Sequence, residues 1–335
     1  MREKMVVFAV MAVLGASAMA QVRTQAVALE KGWNAVWLEV QPADSSPSAV
    51  FAGASVDIVA GYVNPVSEAQ FVKNTAVNVQ ELSGWNVWYA PHRADAPLSR
   101  LHQMSADMGY LVHALEAAVV NVRGTVSGAE LKWTPSRFNL VGFTVAPQGG
   151  PTFRQLFEAS SAHNHNKIYR LANGVWRQVL APDAEAPRPG EAFWVWSEGG
   201  SSYQGPLQVK ANSPMGMVLA GDSQGDLAFG NTSKYPLTFT LSLVVDDANA
   251  EIPMSAVIKV VAPNATGLQG IVEVPIDFPG GAWTQAFPEY LPGDGVALPL
   301  ALRLKDMLPG KYSGLLKVRT DLGTETWIPV HATKE

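Results

Sequence analysis

Two tryptophans flank one valine in "GEAFWVWSEGG", residues 190–200, and they are the side chains whose type and spacing most invite chemistry. An indole is a flat apolar plate with one N–H donor. Trp194 and Trp196, two apart on a strand, project from one face and would offer a stacking surface to the C–H face of a sugar. Trp37 in "GWNAVWLEVQP" and Trp88 in "SGWNVWYAP" extend this candidate ligand-binding set, drawn from 10 tryptophans in the chain. The competing reading is packing, because indoles are also large core fillers. Both readings stand at the level of sequence.

Other constellations are weaker. "HNHN" sets His163 and His165 two apart, which would suit two metal ligands, yet no companion cluster supplies a third and fourth. Asp247, Asn249 and Glu251 echo a calcium loop, but Ile252 stands where that loop needs glycine and Ile258 where it needs glutamate. No nucleophile elbow, phosphate-binding loop or zinc-protease motif is present. A secreted hydrolase needs only two carboxylates at the right separation, and the acidic residues here fall in turn-like segments such as "PADSS" and "APDAEAP". The expectation is a non-catalytic protein with no metal and no cofactor.

The elements that hold these side chains follow from bulk properties and pattern. In a chain of 335 residues, Arg2 and Lys4 precede the apolar run Met5–Leu14, and Ala18-Met19-Ala20 supplies small residues for cleavage before Gln21. That is the build of a secretory signal peptide over residues 1–20, which predicts export to a periplasm, a cell surface or the medium. The run is too short to span a bilayer as a helix, so no membrane insertion is expected after cleavage. With no cysteine there is no disulfide framework, thiol nucleophile or thiolate metal site. The net charge is −5 and basic residues do not cluster, which argues against nucleic acid as a partner.

An internal duplication organises the front of the chain. "GWNAVWLEVQP" at 32–42 returns as "RFNLVGFTVAP" at 137–147, aligning Asn34 with Asn139 and Pro42 with Pro147. "SGWNVWYAP" answers "NGVWRQVLAP", with Trp85 against Trp176, and "GYLVHALE" answers "AFWVWSE". Each copy closes on a similar segment, "VVNVRG" and "SSYQG", read as a strand. Residues 27–125 and 130–209 are therefore expected to be two tandem β-rich units, each with a short helix after its first strand. Residues 213–335 show about seven short strands separated by turn signals, the pattern of a β-sandwich, ending in a hairpin closed by Asp321-Leu322-Gly323.

The PG-x-Y-x-G spacing at 309–314 and the late "IPV" resemble the last strands of immunoglobulin-like sandwiches in exported bacterial proteins. The front, "LEKGWNAVWLEVQP…VFAG" with "FNLVGFTV", "IYRL" and "GEAFWVW", resembles the N-terminal region of large uncharacterised exported bacterial surface proteins. In those relatives such a front often precedes lectin-like or adhesive β domains. This chain ends after one sandwich, so the activity of a downstream domain is not carried over.

The duplication also sorts the tryptophans. Tyr110 and Val112 align with Phe193 and Val195 as a shared apolar face, while Leu111 and His113 stand where the second copy has Trp194 and Trp196. Trp37 aligns with Gly142. Phe193 and Val195 are thus expected in the unit core, and Trp194, Trp196 and Trp37 on a copy-specific face that meets either a ligand or a neighbouring unit. The functional expectation is a structural, adhesive or assembly protein, with carbohydrate binding as the alternative. Its partner would be a glycan or another surface or extracellular protein.

Overall fold

A computed structural model describes residues 21–62, 84–163, 167–221, 224–263 and 269–335. The chain is mainly β, with two short helices among the described residues. No helix among these residues is long and apolar enough to cross a membrane.

The first unit contains β1 (Val22–Leu29), β2 (Gly32–Leu38), β3 (Val40–Pro42), α1 (Pro47–Val50), β4 (Val56–Tyr62), β5 (Trp85–Tyr89), β6 (Met108–Ala114) and β7 (Ala118–Val126). They form an outer sheet ordered β1-β7-β3 and a four-stranded sheet ordered β2-β6-β4-β5. Period-2 alternation sends Val27 and Leu29 of β1, and Val36 and Leu38 of β2, into one core with Tyr110, Val112 and the α1 side chain Val50. Pro47 opens α1, where its missing N–H has no intrahelical partner to lose.

The second unit contains β8 (Arg137–Val141), α2 (Phe153–Phe157), β9 (Ile168–Ala172), β10 (Val175–Gln178) and β11 (Phe193–Ser197), in a sheet ordered β8-β11-β9-β10. Thr152 and Gln155 close a capping box on α2. The strand order matches that of β2-β6-β4-β5, first strand beside last, then second, then third. The pairing offset matches as well. Asn34 faces Val112 and Val36 faces Tyr110, while Asn139 faces Val195 and Val141 faces Phe193. Trp85 faces Tyr62 and Trp176 faces Leu171. Both asparagines clamp the preceding turn. Asn34 Oδ1 accepts from Glu30 N at 2.8 Å and its Nδ2 donates to Glu30 O at 2.8 Å; Asn139 does the same to Thr134 at 2.8 and 3.1 Å. The closing segment "SSYQG", expected as a strand, is irregular; the Gln204 side chain instead bonds both backbone groups of Leu131, at 2.7 and 3.0 Å.

The remaining strands are β12 (Leu207–Lys210), β13 (Met217–Ala220), β14 (Gln224–Asn231), β15 (Leu237–Val244), β16 (Met254–Pro263), β17 (Gln269–Asp277), β18 (Trp283–Tyr290), β19 (Gly295–Leu302), β20 (Gly310–Thr320) and β21 (Glu325–Lys334). Two five-stranded sheets, β12-β14-β19-β16-β17 and β13-β21-β20-β15-β18, enclose a single core. The sandwich thus begins at 207 rather than 213, because β12 pairs with β14, and it has more strands than the seven expected. The edge strands β17 and β18 carry Pro275 and Pro288, which present no N–H to a further strand.

Specific bonds tie the front to the sandwich. Gln21 Nε2 donates to Val330 O at 3.0 Å across 309 residues, and Asn249 Nδ2 donates to Val22 O at 2.9 Å. The second unit is fixed by backbone bonds from Ala146 N to Gly323 O (2.8 Å) and from Glu325 N to Thr144 O (2.9 Å). Tyr235 Oη adds a 2.6 Å bond to Glu158.

Candidate functional site

Strand β11 is covered on both faces. On one side Phe193 meets the rings of Phe153 at 5.0 Å and Phe157 at 6.2 Å, as the shared-face reading anticipates. On the other, Trp194 has 0% exposure and lies edge-on to Tyr62 at 5.1 Å and Trp85 at 6.3 Å, both from the first unit, and 6.0 Å from Trp176. The ring is closed off from solvent, so Trp194 offers no stacking surface. It is the centre of a hydrophobic core that draws residues from both four-stranded sheets.

Trp37 is buried in the same core. A Cβ on Gly142 would overlap the Trp37 Cβ and Cγ, so the glycine that aligns with Trp37 is the space the indole occupies. Backbone bonds reinforce the contact: Trp37 N donates to Gly190 O at 2.8 Å and Ala192 N to Ala35 O at 3.0 Å. Trp196 is half-buried at the rim, 5.2 Å from Phe138, with Lys167 Nζ 4.8 Å from its ring centre. Trp88 is half-buried on the opposite side of the first sheet, packed against the other core. The four tryptophans singled out from sequence therefore do not converge. Two are core between units, one is rim, and one belongs elsewhere.

A concavity forms instead where the second unit and the segment leading into it meet the sandwich. A cleft of about 1010 Å³ is lined by residues 127–133, 201–204 and 207–216 in part, and by 326–329. Trp133 and Trp327 contribute to its wall, and Lys132, Lys210 and Glu130 are exposed around it. Trp133 Nε1 donates to Tyr203 O at 2.7 Å and its ring lies 3.9 Å from the His163 imidazole. His163 is buried, bonded through Nδ1 to Ser160 Oγ at 2.7 Å, and burial pushes its pKa down to about 4. That position is a packing site; His165, its expected companion, lies outside the described residues.

Beside the cleft, the Arg23 guanidinium sits 4.7 Å over the Trp327 ring and pairs with the buried Glu39 carboxylate. Burial raises Glu39 above the ordinary carboxylate range against the pull of Arg23. Burial also raises Asp107 to about 6, opposed by a hydrogen bond from Ser127 and by Arg23. None of Arg23, Glu39 or Asp107 belongs to a motif, so sequence reasoning had no signal for them. The loop Asp247–Glu251 is a turn in which the Asp246 carboxylate accepts from Ala248 N (2.8 Å) and Asn249 N (2.9 Å).

Compared with known proteins, the chain matches no family model and no curated protein.

Proposed function

We propose that this chain is an exported, non-catalytic adhesive or assembly protein, in which two copies of one β unit are fused into a rigid body that carries a sandwich. One observation carries the reading. The β16–β17 hairpin leaves Ile258, Val261, Ile271, Val274 and Ile276 exposed, Val261 by 76% and Ile271 by 74%. Ile258, Val274 and Ile276 share one face, and Val261 pairs with Ile271 on the other. An apolar patch of this kind on a solvent-facing strand pair marks contact with another protein. Pro275 in the same edge directs that contact to side-chain faces rather than to strand addition.

Export rests on the first twenty residues of the sequence. The duplication is supported by the shared strand order and pairing offset, and an immunoglobulin-like assignment by the way the sandwich opens. β12 pairs antiparallel with β14 in one sheet, whereas β13 runs parallel to β21 in the other. The test is to measure the mass of the mature protein in solution across concentration and its capture of extracellular matrix and envelope proteins, with Val261→Lys and Ile271→Lys as variants. The expected result is association that either substitution weakens at least tenfold. A strictly monomeric protein with no captured partner would sink the reading.

Carbohydrate binding remains the second reading, favoured by aromatic side chains that stay partly exposed at the rims of the two four-stranded sheets, Trp33 and Trp196 among them.

A further inference from the structure

One lateral row crosses the first four-stranded sheet. Trp33 faces His113, His113 faces Ile58, and Ile58 faces Tyr89. Paired residues share a sheet face, and the Trp33 and His113 ring centres are 5.1 Å apart. The pairing of β4 with β6 shifts between Val56 and Ile58. This bulge holds Asp57, and a bulge re-aims a side chain out of the regular alternation. Asp57 Oδ1 lies 2.5 Å from His113 Nδ1, and Oδ2 accepts from Arg93 Nη1 at 2.6 Å. The Asp57 side chain is only 5% exposed, whereas that of His113 is 28% exposed.

A carboxylate only accepts, so Nδ1 carries the proton that reaches Asp57, and Nε2 is the ring nitrogen left for an outside partner, an acceptor in the neutral imidazole and a donor in the charged one. Among the described residues Nε2 has no hydrogen-bond partner. Arg93 adds no free charge, because its Nε and Nη2 are both bonded to Asp95 at 2.8 Å. The outward face therefore combines a half-buried indole with one open ring nitrogen, beside an arginine already matched by Asp57 and Asp95.

The sibling sheet shows that the scaffold does not require this arrangement. At the matching row Phe138 faces Trp196, and Trp196 N bonds Lys167 O. An aromatic pair and a lysine serve there, without a histidine held by a carboxylate.

We propose that Trp33 and His113 form a subsite for one neutral sugar ring of a glycan. The indole takes the C–H face of the ring, a ring hydroxyl bonds His113 Nε2, and Asp57 acts as a positioning residue. The proposal deepens the adhesive reading by naming the chemical class of a partner, and it rests on that reading. The test uses mature residues 21–335 against soluble gluco-, galacto- and manno-oligosaccharides, with a uronate oligosaccharide in parallel, read by tryptophan fluorescence and calorimetry. At least one neutral series is expected to bind. Trp33→Ala and His113→Ala should each weaken it tenfold or more with the melting temperature kept, while Leu180→Ala, at an exposed position of the second unit, leaves it unchanged. Where Trp33→Ala fails to fold, Trp33→Phe with His113→Gln gives the same readout. Absence of binding to every neutral series, equal binding by the variants, or a preference for the uronate would overturn the subsite. Capture of protein partners through β16–β17, measured on the same variants, keeps its failure distinct from failure of the adhesive reading.

Discussion

The first and second four-stranded sheets share a strand order and a pairing offset, yet what covers them differs. The first has an outer sheet and α1 on one face and the second unit on the other. The second lays α2 and its phenylalanines on one face and meets the first unit with Trp194, which Trp176 backs. Positions that match in the two sheets are complementary rather than identical. Trp37 and Gly142, which align, are one contact, and a Cβ at Gly109 would likewise overlap Leu140 of the other sheet. Two sheets of like strand order that pack against one another need unlike side chains at the contact, because two large side chains cannot fill one space.

That contrast can be broken most severely at Trp194. Trp194→Ala is expected to cost about 3–5 kcal/mol of stability, read as a lower urea midpoint, whereas the rim substitution Trp196→Ala should cost under about 1.5 kcal/mol. Equal losses would show that the two indoles are not in different environments.

The next largest effect separates the units by pH. His163 exists only in the second unit, and burial holds it near 4 against an ordinary 6.5. The unfolded chain therefore takes up a proton between these values that the fold excludes, and stability falls as pH drops from 6.5 toward 4. The full loss is about 3 kcal/mol, at about 1.36 kcal/mol per pH unit. His163→Gln should flatten that slope in urea titrations at pH 7 and pH 4.5.

Overpacking tests the interface itself. Gly142→Ala is expected to destabilise by about 1–3 kcal/mol and to lose part of that penalty in a Trp37→Gly background, which removes the Cβ and Cγ overlaps and leaves the one with Glu191 O. An additive double-mutant cycle would mean that the two positions do not share space.

The smallest effect has the opposite pH sign and lies in the first unit. Asp107 is raised to about 6 from 3.8 by burial, so the folded state holds its proton more tightly, and this contribution is lost as pH rises from 3.8 through 6. Asp107→Asn should be more stable than the parent by about 1–2 kcal/mol at pH 7 and little changed at pH 3.5. Its φ of 57° is one that asparagine tolerates.

Much of this architecture was legible in the residues. Period-2 alternation located the strands, and the two matched asparagines marked the turn that each first strand leaves. Aligning the copies put Phe193 on one face and Trp194 on the other. What covers the second face was not legible, since alternation reports that a side chain is apolar without saying which neighbour buries it. Trp194 and Trp37 therefore read either as ligand-facing or as interdomain packing. The bulge at Asp57 was invisible for a related reason. A one-residue slip in pairing is set by the partner strand, and nothing in "SVDIVAGY" announces it. The segment "SSYQG" misled because "VVNVRG" has a β1 to pair with, whereas "SSYQG" is held by side-chain bonds of Gln204 to Leu131, Trp133 to Tyr203 O and Tyr203 to Leu156 O.

The bond from Gln21 to Val330 has a consequence in time rather than in space. A chain made or moved from its N-terminus has β1 long before β21 exists, so the outer anchor of the first strand waits for the last strand to arrive. Contacts this distant in sequence are slow to form. The first unit can pair β1 with β7 before β21 exists, and truncation within β21 should free Gln21 while Asn249 still holds Val22.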